Sequence, residues 1–178
     1  MPRTNYFLVC LLLMLICAPF AGAQMPSPKP APELSKLDYL AGHWTSEGDL
    51  KPGPMGPGGK VTSVDDSEWM DGKFFLEMHS RFSGASGELT GLAIFGYDTA
   101  NKVYTYYLFN SAGEVDHYTG TLDGDTLTWS GSIPMGDKSL KTRYVTKKLS
   151  PTAYTYQFEI TPDGTSWILV MDGKATKK

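Results

Sequence analysis

Hydrophobic and polar residues alternate along most of the chain, in short runs that are separated by Gly, Pro, Asn and Asp. This period of two is typical of β-strands that bury one face. Residues 33–40 differ, because Leu34, Leu37 and Leu40 have helical spacing and Gly42 follows them. The pattern therefore predicts one short helix and then about ten strands, near residues 43–50, 60–70, 73–82, 88–98, 103–110, 114–122, 126–133, 138–149, 154–161 and 166–174.

Three Asp-Gly pairs, at residues 71–72, 123–124 and 163–164, separate neighbouring strands. Asp-Gly is a preferred pair for a two-residue hairpin turn, and directly opposed residues share one face of the sheet. Each predicted register gives one coherent face. The pairs expected on these faces are Trp69 with Phe74, Ser67 with Leu76, Asp65 with Met78, Ser63 with Ser80, Tyr118 with Trp129, Gly120 with Leu127, Ile160 with Trp167, Phe158 with Leu169 and Tyr156 with Met171.

The opposite faces collect charged residues and threonines, so we expect them to face water. All three histidines, His43, His79 and His117, fall on these outer faces. Consecutive hairpins favour an antiparallel meander, and closure into a barrel leaves no open strand edge. The sequence thus predicts an all-β fold, a roughly ten-stranded antiparallel up-and-down β-barrel with one short N-terminal helix. A two-sheet sandwich is the alternative.

Residues 1–23 have the pattern of a signal peptide for export. Arg3 precedes an apolar stretch, residues 7–18, and a small-residue cleavage site precedes Gln24. The stretch is shorter than the roughly 20 residues of a membrane-spanning helix, and Pro19 interrupts it. We therefore expect a periplasmic or secreted protein with no stable membrane span after cleavage.

The remaining chain divides into a linker and one domain. Proline recurs through residues 24–32, which predicts an extended spacer. Residues 33–178 would then form a single β-barrel domain, a length that suits one hydrophobic core.

Charge and cysteine content exclude several classes of partner. Cys10 and Cys17 both lie in the signal, so disulfides and cysteine chemistry are not expected in the processed chain. Loss of Arg3 leaves 15 Lys and Arg against 19 Asp and Glu, a net charge of −4, without a large basic cluster. This composition argues against a nucleic-acid partner. The oligomeric state stays open.

No sequence motif points to a catalytic reaction. The chain lacks a Gly-x-Ser-x-Gly turn and a glycine-rich phosphate loop, and its histidines are scattered. We therefore assign no catalytic, cofactor-binding or metal-binding residues, and a binding protein is favoured over an enzyme. The Pro- and Gly-rich residues 51–60 form either a flap over one end of the barrel or a solvated connection.

The candidate ligand site lies on the inward face of the first strands, where apolar residues alternate with serines and one carboxylate. This mixture is typical of cavities for small molecules. Asp65 is costly inside unless it is hydrogen-bonded. A bulge that turns it outward, or serines that satisfy it without a ligand, are the alternatives to a binding role. The candidate residues are Trp44, Ser63, Asp65, Ser67, Trp69, Phe74, Leu76, Met78 and Ser80.

Several segments resemble known barrel families. Gly42-His43-Trp44 resembles the Gly-x-Trp opening of the calycin superfamily, which includes lipocalins and fatty-acid-binding proteins. From Leu34 onward the chain is similar to an exported bacterial family, the domain of unknown function numbered 1579. That family implies no established activity. The segments that carry this resemblance are residues 37–44, 54–60, 95–98, 102–107 and 171–174.

The chain also resembles nitrobindin-like barrels, which have ten strands and hold haem. Their opening, Gly-x-Trp-x-Gly-x-Gly, is matched by Gly42, Trp44 and Gly48, while Ser46 replaces the middle glycine. The late histidine that binds iron in that family has no counterpart, since no histidine follows His117. The resemblance implies the barrel but not the haem.

Three hypotheses about function follow from the sequence. The first is an exported barrel that binds a small apolar or amphipathic molecule of unknown identity. The second is a haem-binding, nitrobindin-like enzyme. The third is a filled barrel whose surface carries an interaction in the cell envelope, because small barrels are often packed solid.

Overall fold

The computed structural model describes residues 27–85, 87–136 and 138–178. The predicted signal and the first residues of the predicted linker, 24–26, lie outside this part of the chain. After residues 27–31, which have no regular structure, a 3₁₀ helix spans Pro32–Leu40. The ten strands are β1 Gly42–Leu50, β2 Gly59–Trp69, β3 Leu76–Gly84, β4 Gly87–Asp98, β5 Val103–Asn110, β6 Val115–Asp123, β7 Thr126–Met135, β8 Lys138–Ser150, β9 Ala153–Thr161 and β10 Ile168–Lys177.

The ten strands form one closed antiparallel barrel. Each strand pairs with its neighbours in the sequence, and β10 returns to pair with β1. The predicted up-and-down barrel is therefore confirmed, and the sandwich alternative is wrong. Within the described residues, no helix has the length and apolar character needed to cross a membrane.

The 3₁₀ helix closes one end of the barrel. Such a helix has about three residues per turn, so positions three apart lie on the same side. Leu34, Leu37 and Leu40 have this spacing, and all three are buried. The indole N–H of Trp44, at the start of β1, donates to the Leu40 carbonyl oxygen over 2.8 Å, which fixes the helix to the strand that follows it.

Aromatic rings fill the closed half of the barrel, and glycines make room for them. The Trp129 ring centre lies 5.4 Å from that of Tyr106. Trp129 can occupy this position because Gly120, its partner on β6, has no side chain; a Cβ there would lie 2.6 Å from the indole ring. Gly131 makes room for Tyr118 in the same way, since its Cβ would lie 2.5 Å from that ring.

The turn after β2 is longer than the one predicted for Asp71-Gly72. Gly72 has a φ of 82° and occupies the third position of a four-residue turn, where a type II turn requires positive φ. As a result Trp69 pairs with Leu76, and not with Phe74. The register is shifted by two residues, so the side chains of both strands keep their predicted faces.

The turn after β6 begins one residue later than predicted. Asp123 pairs with Thr126, which places Gly124, with a φ of 56°, at the first position of a two-residue turn. Glycine is the usual residue at that position of a type II′ turn. The register again shifts by two residues. Gly120 therefore pairs with Trp129, and the side chains keep their predicted sides of the sheet.

The third predicted register is wrong. The Asp163 carboxylate accepts hydrogen bonds from the N–H groups of Thr165 and Ser166, so a longer loop replaces the two-residue turn. Trp167 therefore precedes β10 and lies on the outer surface, with the Arg143 guanidinium 4.3 Å from its ring centre. The pairs that form instead are Ile168 with Ile160, Met171 with Phe158 and Gly173 with Tyr156, with a bulge between residues 169 and 171.

The histidines lie on the outer surface, as predicted. His43 Nδ1 is 2.6 Å from Asp66 Oδ1, and both side chains are exposed. His117 stacks on Tyr107 with ring centres 4.3 Å apart, and the side chain of His79 is 65% exposed. None of the three points into the barrel.

We expect Gly120→Ala to lower the free energy of unfolding by about 1–3 kcal/mol, the usual cost of overpacking a core. The new Cβ would overlap the buried Trp129 ring, and urea unfolding measures the effect. Gly53→Ala is the matched control, because a Cβ at Gly53 meets no atom within 4 Å. A midpoint for Gly120→Ala equal to that of the wild type would contradict the close packing of Trp129.

Candidate functional site

The barrel encloses a cavity of about 340 Å³ toward its open end. Every strand contributes at least one residue to the wall. Its apolar residues are Leu40, Met78, Phe82, Leu89, Gly91, Phe95, Leu108, Trp129, Phe158 and Met171. Its polar residues are Ser46, Ser63, Asp65, Ser80, Thr90, Tyr106, Asn110, Tyr118, Tyr144, Thr146, Tyr154 and Tyr156.

The mouth of the cavity lies at the end opposite the 3₁₀ helix, beside the hairpin of β3 and β4. Leu89 faces inward there but is 40% exposed. On the other side of the same end, Leu140, Ile160 and Val170 form a separate apolar cluster that fills the interior. Residues 51–58, which connect β1 and β2, contribute nothing to the described wall, so its geometry gives the flap alternative no support.

Asp65 lies on the cavity wall in the middle of β2 and is 6% exposed. The pairing of the strands surrounds it with serines. Ser63 is two residues earlier on the same face, Ser80 is directly opposite on β3, and Ser46 faces Ser63 from β1. The pairing runs without a break through this region, so the predicted alternative of a bulge that turns Asp65 outward is wrong.

Serine hydroxyls donate toward the carboxylate. Ser63 Oγ donates to Asp65 Oδ2 over 2.8 Å and also lies 2.8 Å from Ser46 Oγ. Because a hydroxyl has a single proton, Ser63 must accept from Ser46. A carboxylate offers about four acceptor positions, and the serines occupy only part of them.

Burial raises the pKa of Asp65, and hydrogen bonds from Ser80 and Ser63 oppose this effect. Among the described residues, no Lys, Arg or His lines the cavity. The wall therefore holds a single ionisable carboxylate without a cationic partner beside it.

Five tyrosines share the wall with Asp65. Tyr106 stacks on Tyr118 with ring centres 5.3 Å apart, and Tyr144 stacks on Tyr156 at 5.9 Å. Burial raises the pKa of all five, and raises that of Tyr118 to about 12. At Tyr154 the negative charge of Asp65 adds to the effect of burial. The cavity thus presents uncharged phenols and ring faces around one carboxyl group.

Some of the predicted site residues meet at the cavity and others do not. Those that line it are Ser63, Asp65, Met78 and Ser80. Those that pack in or against the core of the closed half are Trp44, Leu76, Ser67 and Trp69. Phe74 lies half-buried in the connection after β2, so its predicted place on the inner face is wrong. The binding role of the lining residues stays a prediction.

Four residues that the sequence did not predict also line the cavity, namely Ser46, Tyr106, Tyr144 and Tyr154. Ser46 could have been found, because it is two residues after Trp44 and shares its face. Tyr106 could not, since the connection between β4 and β5 allows either parity of pairing. The hydroxyl of Ser67, which was assigned, is buried without a hydrogen-bond partner among the described residues.

The described residues of the wall include neither histidine nor cysteine. In residues 27–85, 87–136 and 138–178, His, Cys, Asp and Glu side chains do not gather in groups of three or more that could hold a metal ion. The histidines all lie outside the cavity. The wall therefore offers no imidazole to a haem iron.

The fold and the cavity define a hollow, closed ten-stranded antiparallel barrel. The chain belongs to the family described as "Protein of unknown function (DUF1579)", whose model matches residues 29–177. The predicted family is thus confirmed. Comparison with curated proteins finds no match.

Two solved structures share the fold at low sequence identity. One is Rv2717c from M. tuberculosis, with a TM-score of 0.57, 16% identity, and coverage of 84% of this chain and 99% of that one. The other is the S-type phycobiliprotein lyase CPES from Guillardia theta, with a TM-score of 0.52, 12% identity, and coverage of 81% and 91%. Both likenesses show the barrel fold alone.

The raised pKa of Asp65 predicts a specific dependence of stability on pH. The folded state holds this proton more tightly than the unfolded state, whose ordinary pKa is about 3.9. The contribution of Asp65 to stability therefore falls as the pH rises through the interval between the two values. Asp65→Asn lacks this titration, so the variant should gain stability relative to the wild type across the interval.

Urea unfolding of both proteins at a series of pH values measures this difference. Asp66→Asn is the control, because it removes a carboxylate from the outer face of the same strand, where the Asp66 side chain is 68% exposed. Parallel stability curves for the wild type and Asp65→Asn would show that the carboxyl group does not titrate abnormally in the fold.

Proposed function

We propose that the protein binds a small apolar or amphipathic molecule in the barrel cavity. The observation that carries this proposal is the cavity of about 340 Å³, whose lining surface is mostly apolar, tyrosine rings included, with serine hydroxyls grouped around Asp65. Cavities that bind small molecules combine these features. Transfer of apolar surface from water into such a wall stabilises a complex by roughly 25 cal/mol per Å².

A catalytic role has less support from the wall. Among its described residues, Asp65 is the single carboxyl group, and no His, Cys or Lys accompanies it. General acid–base and nucleophilic reactions usually combine two or more such groups within hydrogen-bond distance. Binding requires no such combination.

We further propose that the protein is exported and that residues 1–23 are removed. The support is the charged start, apolar stretch and small-residue cleavage site of that segment. Intact mass measurement of the protein from its own host should give a chain that begins at Gln24. A chain that still carries Arg3 and the apolar stretch in the cell interior would contradict export.

Binding can be tested with N-phenyl-1-naphthylamine, an uncharged dye that fluoresces in apolar surroundings. Leu108 lines the cavity, so Leu108→Trp should fill part of it and weaken dye binding at least about tenfold, a loss of roughly 1.4 kcal/mol. Phe109→Trp is the matched control, because Phe109 is the next residue on the same strand and is 44% exposed on the outside.

Native mass spectrometry of the host-purified protein complements the dye. A retained small molecule that is lost in Leu108→Trp and kept in Phe109→Trp would place the ligand in the barrel. Equal dye affinity for both variants, with circular dichroism spectra that show both folded, would contradict binding in the cavity.

A further inference from the structure

The cavity has a chemical bias that apolar shape alone does not explain. Asp65 is the sole ionisable carboxyl group among the described lining residues, and no lining Lys, Arg or His offsets it. Its hydrogen-bond partners are neutral serine hydroxyls. A ligand that reaches this wall therefore meets a negative charge or a protonated acid, and never a fixed positive charge.

This bias discriminates between classes of amphipathic ligand. A ligand carboxylate beside Asp65 would bring two like charges together where water is largely excluded, which costs more than in bulk solvent. An uncharged ligand leaves the burial of Asp65 uncompensated. A cation placed there would supply the missing opposite charge and would offset the cost of burying the Asp65 carboxylate.

We propose that the cavity is selective for a protonated amine with an apolar body, and that the ammonium group binds the Asp65 carboxylate. This inference rests on the proposed function and specifies its ligand class. The amine donates to acceptor positions of Asp65 that Ser63 and Ser80 leave free. The apolar body lies along the wall toward Leu89 and the mouth.

The aromatic residues of the wall add to the same preference. Tyr106, Tyr144, Tyr154 and Tyr156 all line the cavity that holds Asp65. Ring faces carry partial negative charge and attract cations, most strongly where water is excluded. Their hydroxyls are neutral near pH 7, because the ordinary pKa of tyrosine is about 10 and burial raises the pKa of each one further.

The amine affinity should depend on pH through Asp65. Burial raises its pKa, so acidification protonates this carboxyl earlier than an ordinary one and weakens amine binding. The neighbouring titratable groups are four of the five wall tyrosines, Tyr106, Tyr144, Tyr154 and Tyr156, which stay neutral near pH 7. Two further groups, Asp66 and His43, lie outside the barrel. The Asp66→Asn variant separates the contribution of this outer pair from that of Asp65.

The test compares octylamine, 1-octanol and octanoate by isothermal titration calorimetry at neutral pH. The three probes share one alkyl chain and differ only in the head group. Octylamine should bind tightest and octanoate weakest. Asp65→Asn should weaken octylamine on the order of 10- to 100-fold, the effect of losing a charge-assisted hydrogen bond, and change 1-octanol less than about threefold. Asp66→Asn should leave octylamine affinity near that of the wild type.

The outcomes separate this inference from the proposed function. Octanoate or 1-octanol binding as tightly as octylamine, with Leu108→Trp weakening all three, would overturn amine selectivity and keep the cavity as a binding site. Unchanged octylamine affinity in Asp65→Asn would also overturn it. If neither the dye nor any of the three probes bound the wild type, the proposed function and the inference would both fail.

Discussion

Closure of the barrel depends on the close approach of β1 and β10 at one pair of glycines. Gly48 and Gly173 face each other across this seam, and a Cβ on either would lie 2.4 Å from the hydroxyl oxygen of Tyr156. Tyr156 therefore packs directly against the backbone of the seam while its ring lines the cavity. Because an open seam would expose two strand edges, the aromatic wall and the closed sheet stabilise each other.

Closure also keeps the Asp65 side chain inside the barrel, although its charged form is more stable in water. Alternation places Val61, Ser63 and Asp65 on one face of β2, and Val61 is 2% exposed. Turning Asp65 outward by a slip of one residue would expose Val61 as well. The fold thus holds a carboxyl group where burial disfavours its charge. Groups of this kind are concentrated at functional sites, because a fold seldom retains them for stability.

The sequence predicted the faces of the strands far better than their partners. Period-two alternation placed Asp65 and Trp129 inside correctly, since a register error of two residues leaves every face unchanged. The pairing of residues on neighbouring strands depends on the length of each turn, and side chains can change that length. Asp163 does so by accepting hydrogen bonds from the N–H groups of Thr165 and Ser166. The cavity itself could not be predicted, because the alternation of polar and apolar residues does not show how completely the side chains of opposite walls fill the space between them.

The sizes of the lining side chains explain why the same residues create the cavity and make part of its wall polar. Ser46, Ser63 and Ser80 lie on β1, β2 and β3, five strands around the ring from β6, β7 and β8, which carry Tyr118 and Trp129 among the lining residues. Small side chains on one wall leave space that the rings of the other wall do not close. The same serines supply the hydroxyls that make a buried carboxyl group tolerable. Larger apolar residues at these positions would therefore remove the cavity volume and the hydrogen-bond partners of Asp65 together.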